Sequence, residues 1–79
     1  MAPKKSPRDG RRETLRRLGE RIRGLRRARG LTQEALAGAL GLSVAYVSLI
    51  ERGGRNPPYT TVVAIARALG VDLREMLPD

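Results

Sequence analysis

The side chains with chemistry to offer are almost all arginines and lysines, and they crowd one end of the chain. Sixteen basic residues stand against eight acidic ones, a formal charge of +8. Residues 1–30 hold twelve of the basic groups and three acidic ones, a net +9, whereas residues 31–79 come to −1. So lopsided a positive field attracts polyanions. The same arginines would also serve merely to keep a surface solvated, and composition alone does not separate the two readings. Other chemistry is thinly supplied. Histidine and cysteine are absent, which removes the usual general base, the thiolate nucleophile and the commonest metal ligands. There is no glycine-rich phosphate loop and no carboxylate pair with a cleft to sit in. Neither an enzyme nor a cofactor, a metal centre or a small-molecule ligand is expected.

The scaffold for these charges is one small domain, since 79 residues allow no more. Phe and Trp are absent, so the core is built from Leu, Ile, Val and Ala. Residues 1–11 contain Pro3, Pro7, Gly10 and the basic Lys4, Lys5, Arg8 and Arg11. They read as a flexible basic arm, or as an inert tail. Residues 12–79 read as the folded domain. A first helix is predicted from about Arg12 to Arg29, on the stripe Leu15, Leu18, Ile22, Leu25 and Ala28. Its other faces are mostly arginine (Arg16, Arg17, Arg21, Arg23, Arg27, Arg29), and Gly30 stops it. Thr32 caps a second helix, with Leu31 and Leu36 in the staple positions and Gly41 at its end. Ser43 caps a third, with Val47 and Ile50 pointing inward and Gly53 as its stop. Residues 53–58 are a loop by their glycines and prolines. A fourth helix starts near Thr60 or Thr61, buries Val62, Ile65, Ala66 and Leu69, and closes at Gly70. Asp72 and Glu75 form a capping box for a short fifth helix, which Pro78 keeps from extending. No strand signal competes. The fold class is all-α, with five helices.

No apolar run approaches the ~20 residues that span a bilayer. The N-terminus lacks the apolar stretch of a secretory signal. A soluble, cytoplasmic protein with no membrane partner is expected.

The stretch from Gln33 to Arg52 is the informative one. Gly41-Leu42-Ser43 is too short a link for its two helices to lie antiparallel, so they cross steeply, as in a helix-turn-helix unit. Ala37 sits at the crossing, where a larger side chain would force the helices apart. Val47 and Ile50 anchor the second helix from within. That leaves its outer face free, in a form that fits a major groove.

Ile22-Arg-Gly-Leu-Arg26, Gly30-Leu-Thr-Gln-Glu-Ala-Leu-Ala37, Tyr46-Val-Ser-Leu-Ile-Glu-Arg-Gly53, Arg55-Asn-Pro57 and Ala68-Leu-Gly70 together resemble the Cro/C1-type (Xre) helix-turn-helix family. That family includes the lambdoid phage repressors. The resemblance covers about residues 20–77 and implies a compact lambda-repressor-like domain. The short chain is most similar to the controller proteins of restriction–modification systems, although phage regulators and antitoxins share its size.

The resemblance implies roles residue by residue. Gln33 would hold a phosphate at a helix N-terminus, a natural anion site; otherwise it is simply a good first-turn residue. Val44, Ala45, Ser48 and Leu49 match base-facing positions. Many members carry Gln or Arg where Val44 and Ala45 stand here. Apolar groups make no bidentate base contact, so they would read thymine methyls, with DNA shape supplying the rest, or else sit idle. Tyr46 would either lie against the backbone or cover the core edge. Arg52, Arg55 and Asn56 would face phosphates, as would Arg23 and Arg27 of the first helix. Arg26 and Glu51 would form a structural ion pair. One such domain reads one half-site, so a homodimer on double-stranded DNA is implied, active in the bacterial cytoplasm and on the nucleoid. Its interface is expected at Leu69, Val71, Leu73, Met76 and Leu77. Two other classes are carried alongside. An antitoxin would bind a protein toxin as well as its operator, but the chain shows no toxin-wrapping extension. A membrane-surface peptide would use the basic first helix, but four further capped helices are superfluous to it.

Overall fold

The computed structural model describes residues 7–77. Among them there is no strand. The helices are α1 (Pro7–Ala28), α2 (Gln33–Leu40), α3 (Val44–Glu51) and α4 (Tyr59–Leu69), followed by a 3-10 helix, Leu73–Met76. Four α-helices and a 3-10 turn thus replace the five helices expected. The last segment is capped as a box: Asp72 Oδ1 accepts from Arg74 N at 2.9 Å, and Glu75 Oε2 accepts from Asp72 N at 2.9 Å. It closes after a single turn because Leu77 precedes a proline and is extended (φ −82°, ψ 120°).

α1 begins at Pro7, not near Arg12. Proline is at home in the first helical turn, where its missing N–H has no partner to lose, and Asp9 there complements the helix dipole. Residues 7–11, expected within the arm, are therefore helical. Lys4 and Lys5 lie outside the described residues. The inward stripe of α1 is Leu18, Ile22 and Leu25, with Leu15 half-buried above it. Ala28, expected next, is exposed. The helix ends at Ala28, and Leu31 packs on the core instead.

The caps of α2 and α3 are made by side chains. Thr32 Oγ1 accepts from Ala35 N at 3.0 Å, and Ser43 Oγ accepts from Tyr46 N at 3.1 Å. Gly41 holds φ at +68° between them, a backbone state that other residues enter with strain. The two helices turn by 112° across that link, within the range of a helix-turn-helix. α4 starts at Tyr59, one residue ahead of the expected range, with Pro58 before it and no side-chain cap.

The core is Ile22, Leu36, Ala37, Val47, Ile50, Val62, Ile65, Ala66, Leu69 and Met76. Leu69 and Met76, expected between two copies of the chain, are 1% and 0% exposed and belong to this core. The helical ends are tied by α1 arginines and their neighbour Arg29. Arg29 Nη2 donates to Gly70 O at 3.0 Å, at the C-terminus of α4, and Arg21 Nη1 donates to Glu75 O at 3.4 Å. No single helix among the described residues is long and apolar enough to cross a membrane.

Candidate nucleic-acid interface

α3 is held from within by Val47, Ile50 and Glu51, all buried. Its other side looks outward. Val44 is 39% exposed, Ala45 is exposed, and Ser48 and Leu49 are half-buried. Leu49 is partly covered by the turn that follows, where Gly54 N donates to Leu49 O at 2.8 Å. The outer face is therefore small and mostly apolar, with Arg52 at its end.

Beneath α3, Glu51 meets Arg26 in a two-pronged pair. Arg26 Nε donates to Glu51 Oε2 at 2.7 Å and Nη2 to Oε1 at 3.0 Å. Arg26 Nη1 also donates to Leu31 O at 2.8 Å. The two side chains are 9% and 2% exposed. Hydrogen bonding to the Glu51 carboxylate pushes the Arg26 pKa above its ordinary value, against the opposing effect of burial. Gln33 joins the pair, Nε2 donating to Glu51 Oε1 at 3.1 Å. That leaves its second amide N–H uncommitted, at the N-terminus of α2.

A cleft of about 460 Å³ opens at this point, lined by Arg23, Arg26, Arg27, Thr32, Gln33, Glu34, Ser48, Glu51 and Arg52. Four of the backbone-contact candidates, Arg23, Arg27, Gln33 and Arg52, come together in it. The cleft thus gathers side-chain donors from α1 and α2, the N-terminus of α2 and two carboxylates, Glu51, already engaged by Arg26, and Glu34.

The helix-turn-helix domain family matches residues 17–78. The chain belongs to that family, in its Cro/C1-type branch. It is 44% identical over 60 residues to the uncharacterized HTH-type transcriptional regulator y4dJ of Sinorhizobium fredii, covering 76% of this chain and 78% of that protein. It is 41% identical over 61 residues to the HTH-type transcriptional regulator DdrOP3 of Deinococcus deserti, covering 77% of this chain but 47% of that one. The crystal structure of the restriction–modification controller protein C.AhdI from Aeromonas hydrophila aligns with a TM-score of 0.77 at 43% identity. It covers 80% of this chain and 96% of the controller.

The remaining candidates of the helix-turn-helix scatter around the cleft. Arg55 and Asn56 are exposed on the loop after α3 but do not line it. Tyr46 packs against the core and is half-buried, which places its ring at the core edge. Val71 and Leu73 pack on the core as well, and Leu77 alone of the five interface candidates is widely exposed, at 51%.

Two features are not apparent from the sequence. Thr32 and Ser48 line the cleft in addition to their other duties. Gly19 is buried where α1 crosses the carbonyls of Ile50 and Glu51, and a Cβ there would collide with both. Its position on the α1 stripe, between Leu18 and Ile22, is the one signal that points to it. Among the described residues, no group of three His, Cys, Asp or Glu side chains is placed to hold a metal ion.

Proposed function

We propose that the chain is a sequence-specific regulator of transcription that binds double-stranded DNA as a homodimer on a palindromic or near-palindromic operator, and that it acts as a small controller or phage-type repressor. One observation carries the reading: the exposed outer face of α3 stands beside a cleft that gathers Arg23, Arg27, Arg52 and Gln33. A rod flanked by cations is what a major groove flanked by phosphates accepts. Val44, Ala45, Ser48 and Leu49 then face base edges. Gln33, Arg23, Arg27 and Arg52 hold the backbone on one side, with Arg55 and Asn56 reaching it from the following loop. Tyr46, at the core edge, supports the helix from behind. The controller protein C.AhdI, nearly all of whose length aligns at 43% identity, supports the controller reading. Its place of action is the cytoplasm, on the nucleoid.

The second subunit docks through the C-terminal end, with Leu77 as its apolar anchor and Val71 and Leu73 at the margin. Half-sites then lie ~34–36 Å apart on one face of the duplex. The test is selection of bound sites from a random duplex pool, followed by a salt series on the winner. A symmetric site with that spacing and an affinity that falls steeply with salt are expected. Binding that ignores sequence, or no binding at low salt, refutes the proposal.

A further inference from the structure

We propose that the N-terminal turns of α1 form a second backbone track, carried by Arg12 and Arg16, that grips the phosphates of duplex DNA flanking the half-site. The inference rests on the DNA-binding reading above. The family match starts at residue 17, yet α1 starts at Pro7. The turns ahead of the match contribute little to the core, since none of residues 9–18 is fully buried. They lie instead against the chain that leaves α3, where Arg16 backs onto Gly53.

The placement is specific. Positions 12, 16, 19, 23 and 27 fall on one face of α1 by their steps of three and four. On this face Gly19 abuts the last carbonyls of α3. One turn earlier the chain leaving α3 touches α1 again: a Cβ on Gly53 would sit 2.8 Å from Arg16 Cα. A second cleft of about 590 Å³ opens there, lined by Asp9, Arg12, Glu13, Arg16, Arg52 and Gly53. Arg52 lines this cleft and the Gln33 cleft alike. Arg12, Arg16, Arg23 and Arg27 thus make one basic row on this face of α1, with Arg52 lining both clefts beside it. From Arg12 to Arg27 it extends ~22 Å along the helix. A duplex strand offers a phosphate every ~3.4 Å of rise, so a rank of that length meets several.

Carboxylates are present, Asp9 and Glu13 in the cleft itself, where Arg12, Arg16 and Arg52 outnumber them. Glu13 turns to Arg17, with 2.9 Å between Oε1 and Nη2. Glu20 holds Arg16 at 2.6 Å, but the two side chains are 56% and 62% exposed. Such a solvated pair is weak and yields to a phosphate. Across residues 9–29, nine arginines outnumber three carboxylates.

The test uses the full chain and a duplex that the wild type selects from a random pool. The duplex is made in two lengths, one trimmed to the half-sites and one with added flanks. The wild type is expected to bind the longer duplex more tightly. The double variant Arg12→Ala/Arg16→Ala is expected to match the wild type on the trimmed duplex and to forfeit the gain from the flanks. On the longer duplex its slope of log affinity against log salt should be shallower by about 0.9 for each phosphate that is no longer neutralised. Arg12→Lys/Arg16→Lys should restore the slope, and helix content by circular dichroism should be unchanged. If the alanine variant equals the wild type on the longer duplex, or weakens equally on both lengths, the second track is wrong while the DNA-binding reading stands. If the wild type selects no duplex, both fall.

Discussion

Gln33 donates from Nε2 to Glu51 Oε1 across 3.1 Å, so the side chain that opens α2 and the carboxylate that closes α3 are joined directly. Arg26 of α1 holds the same carboxylate with two hydrogen bonds. One buried acid thereby ties three helices together beside the cleft proposed to hold a phosphate backbone. The amide of Gln33 is preset by this arrangement, which spares the ordering that a free side chain would undergo on binding.

Removing the acid should expose the strength of this junction. Glu51→Ala leaves the Arg26 guanidinium buried without its counter-charge, and a loss of ~3–5 kcal/mol is expected. For a domain this small each kcal/mol lowers Tm by ~4–8 °C. Arg26→Met combined with Glu51→Leu should be far milder, because no charge is stranded. Calorimetric or denaturant unfolding of the single and double variants checks both. A single-variant loss of under ~1 kcal/mol, typical of an exposed pair, contradicts the burial of this one.

Glycines in α1 give a paired prediction. At Gly24 a Cβ meets nothing within 4 Å, so Gly24→Ala should stabilise by ~0.5–1 kcal/mol through helix propensity. At Gly19 the same atom collides with backbone carbonyls of α3. Gly19→Ala should forfeit that gain and cost a further ~1–3 kcal/mol as the helices shift apart. Equal shifts in chemical-denaturation midpoint would show that α1 and α3 do not approach closely along their backbones.

The order of helices is legible in the sequence because each carries its own punctuation. Thr32, Ser43, Asp72, Gly41 and Gly70 act locally, within one turn of where they stand. The buried stripe of α4 is legible for the same reason, since Val62, Ile65, Ala66 and Leu69 follow one period. What stays hidden depends on distant partners. Met76 looks like a surface apolar residue near a chain end, yet it is 0% exposed in the core that also holds Ile22 of α1. Gly19 looks like a flaw in a helix until α3 is laid across it. Pro7 looks like a breaker, although a proline that starts a helix breaks nothing. At the site, the sequence names the residues of the cleft but not their grouping: that Gln33 and Arg52 share a cleft with Arg23 and Arg27 is tertiary information.

The 3-10 turn should respond to acid. The backbone N–H of Arg74 and then its side chain hold the Asp72 carboxyl below the usual carboxylate range. Because the folded value is lowered, the cap's contribution is complete above the ordinary Asp pKa of ~3.9 and disappears as pH falls through the folded value. An NMR titration of the Asp72 carboxyl should give a midpoint below that of the unfolded chain. Arg74→Ala should raise it only partway, since the backbone donor stays. Asp72→Asn should keep the turn and remove its acid sensitivity. A midpoint at or above the ordinary value contradicts the cap.

Positioning and reading residues should separate in DNA binding. Gln33→Ala and Arg52→Ala remove groups proposed to hold the phosphate backbone, which every sequence offers alike. Each should weaken binding to selected and random duplexes by a similar factor. Only Arg52→Ala should also lower the salt slope, by about 0.9, because Gln33 carries no charge. Substitutions at Val44 or Ala45 alter the face proposed to meet base edges instead. They should leave the salt slope unchanged and alter which site wins a selection, with ~1–3 kcal/mol between the old and new preferred base pair. The apolar character of both residues sharpens the expectation: the preference removed should be for thymine, whose methyl group is the feature an apolar side chain can sense. If substitutions at Val44 leave the selected site unchanged while Arg52→Ala shifts it, the outer face of α3 is not what reads the sequence, and specificity resides in the shape of the duplex.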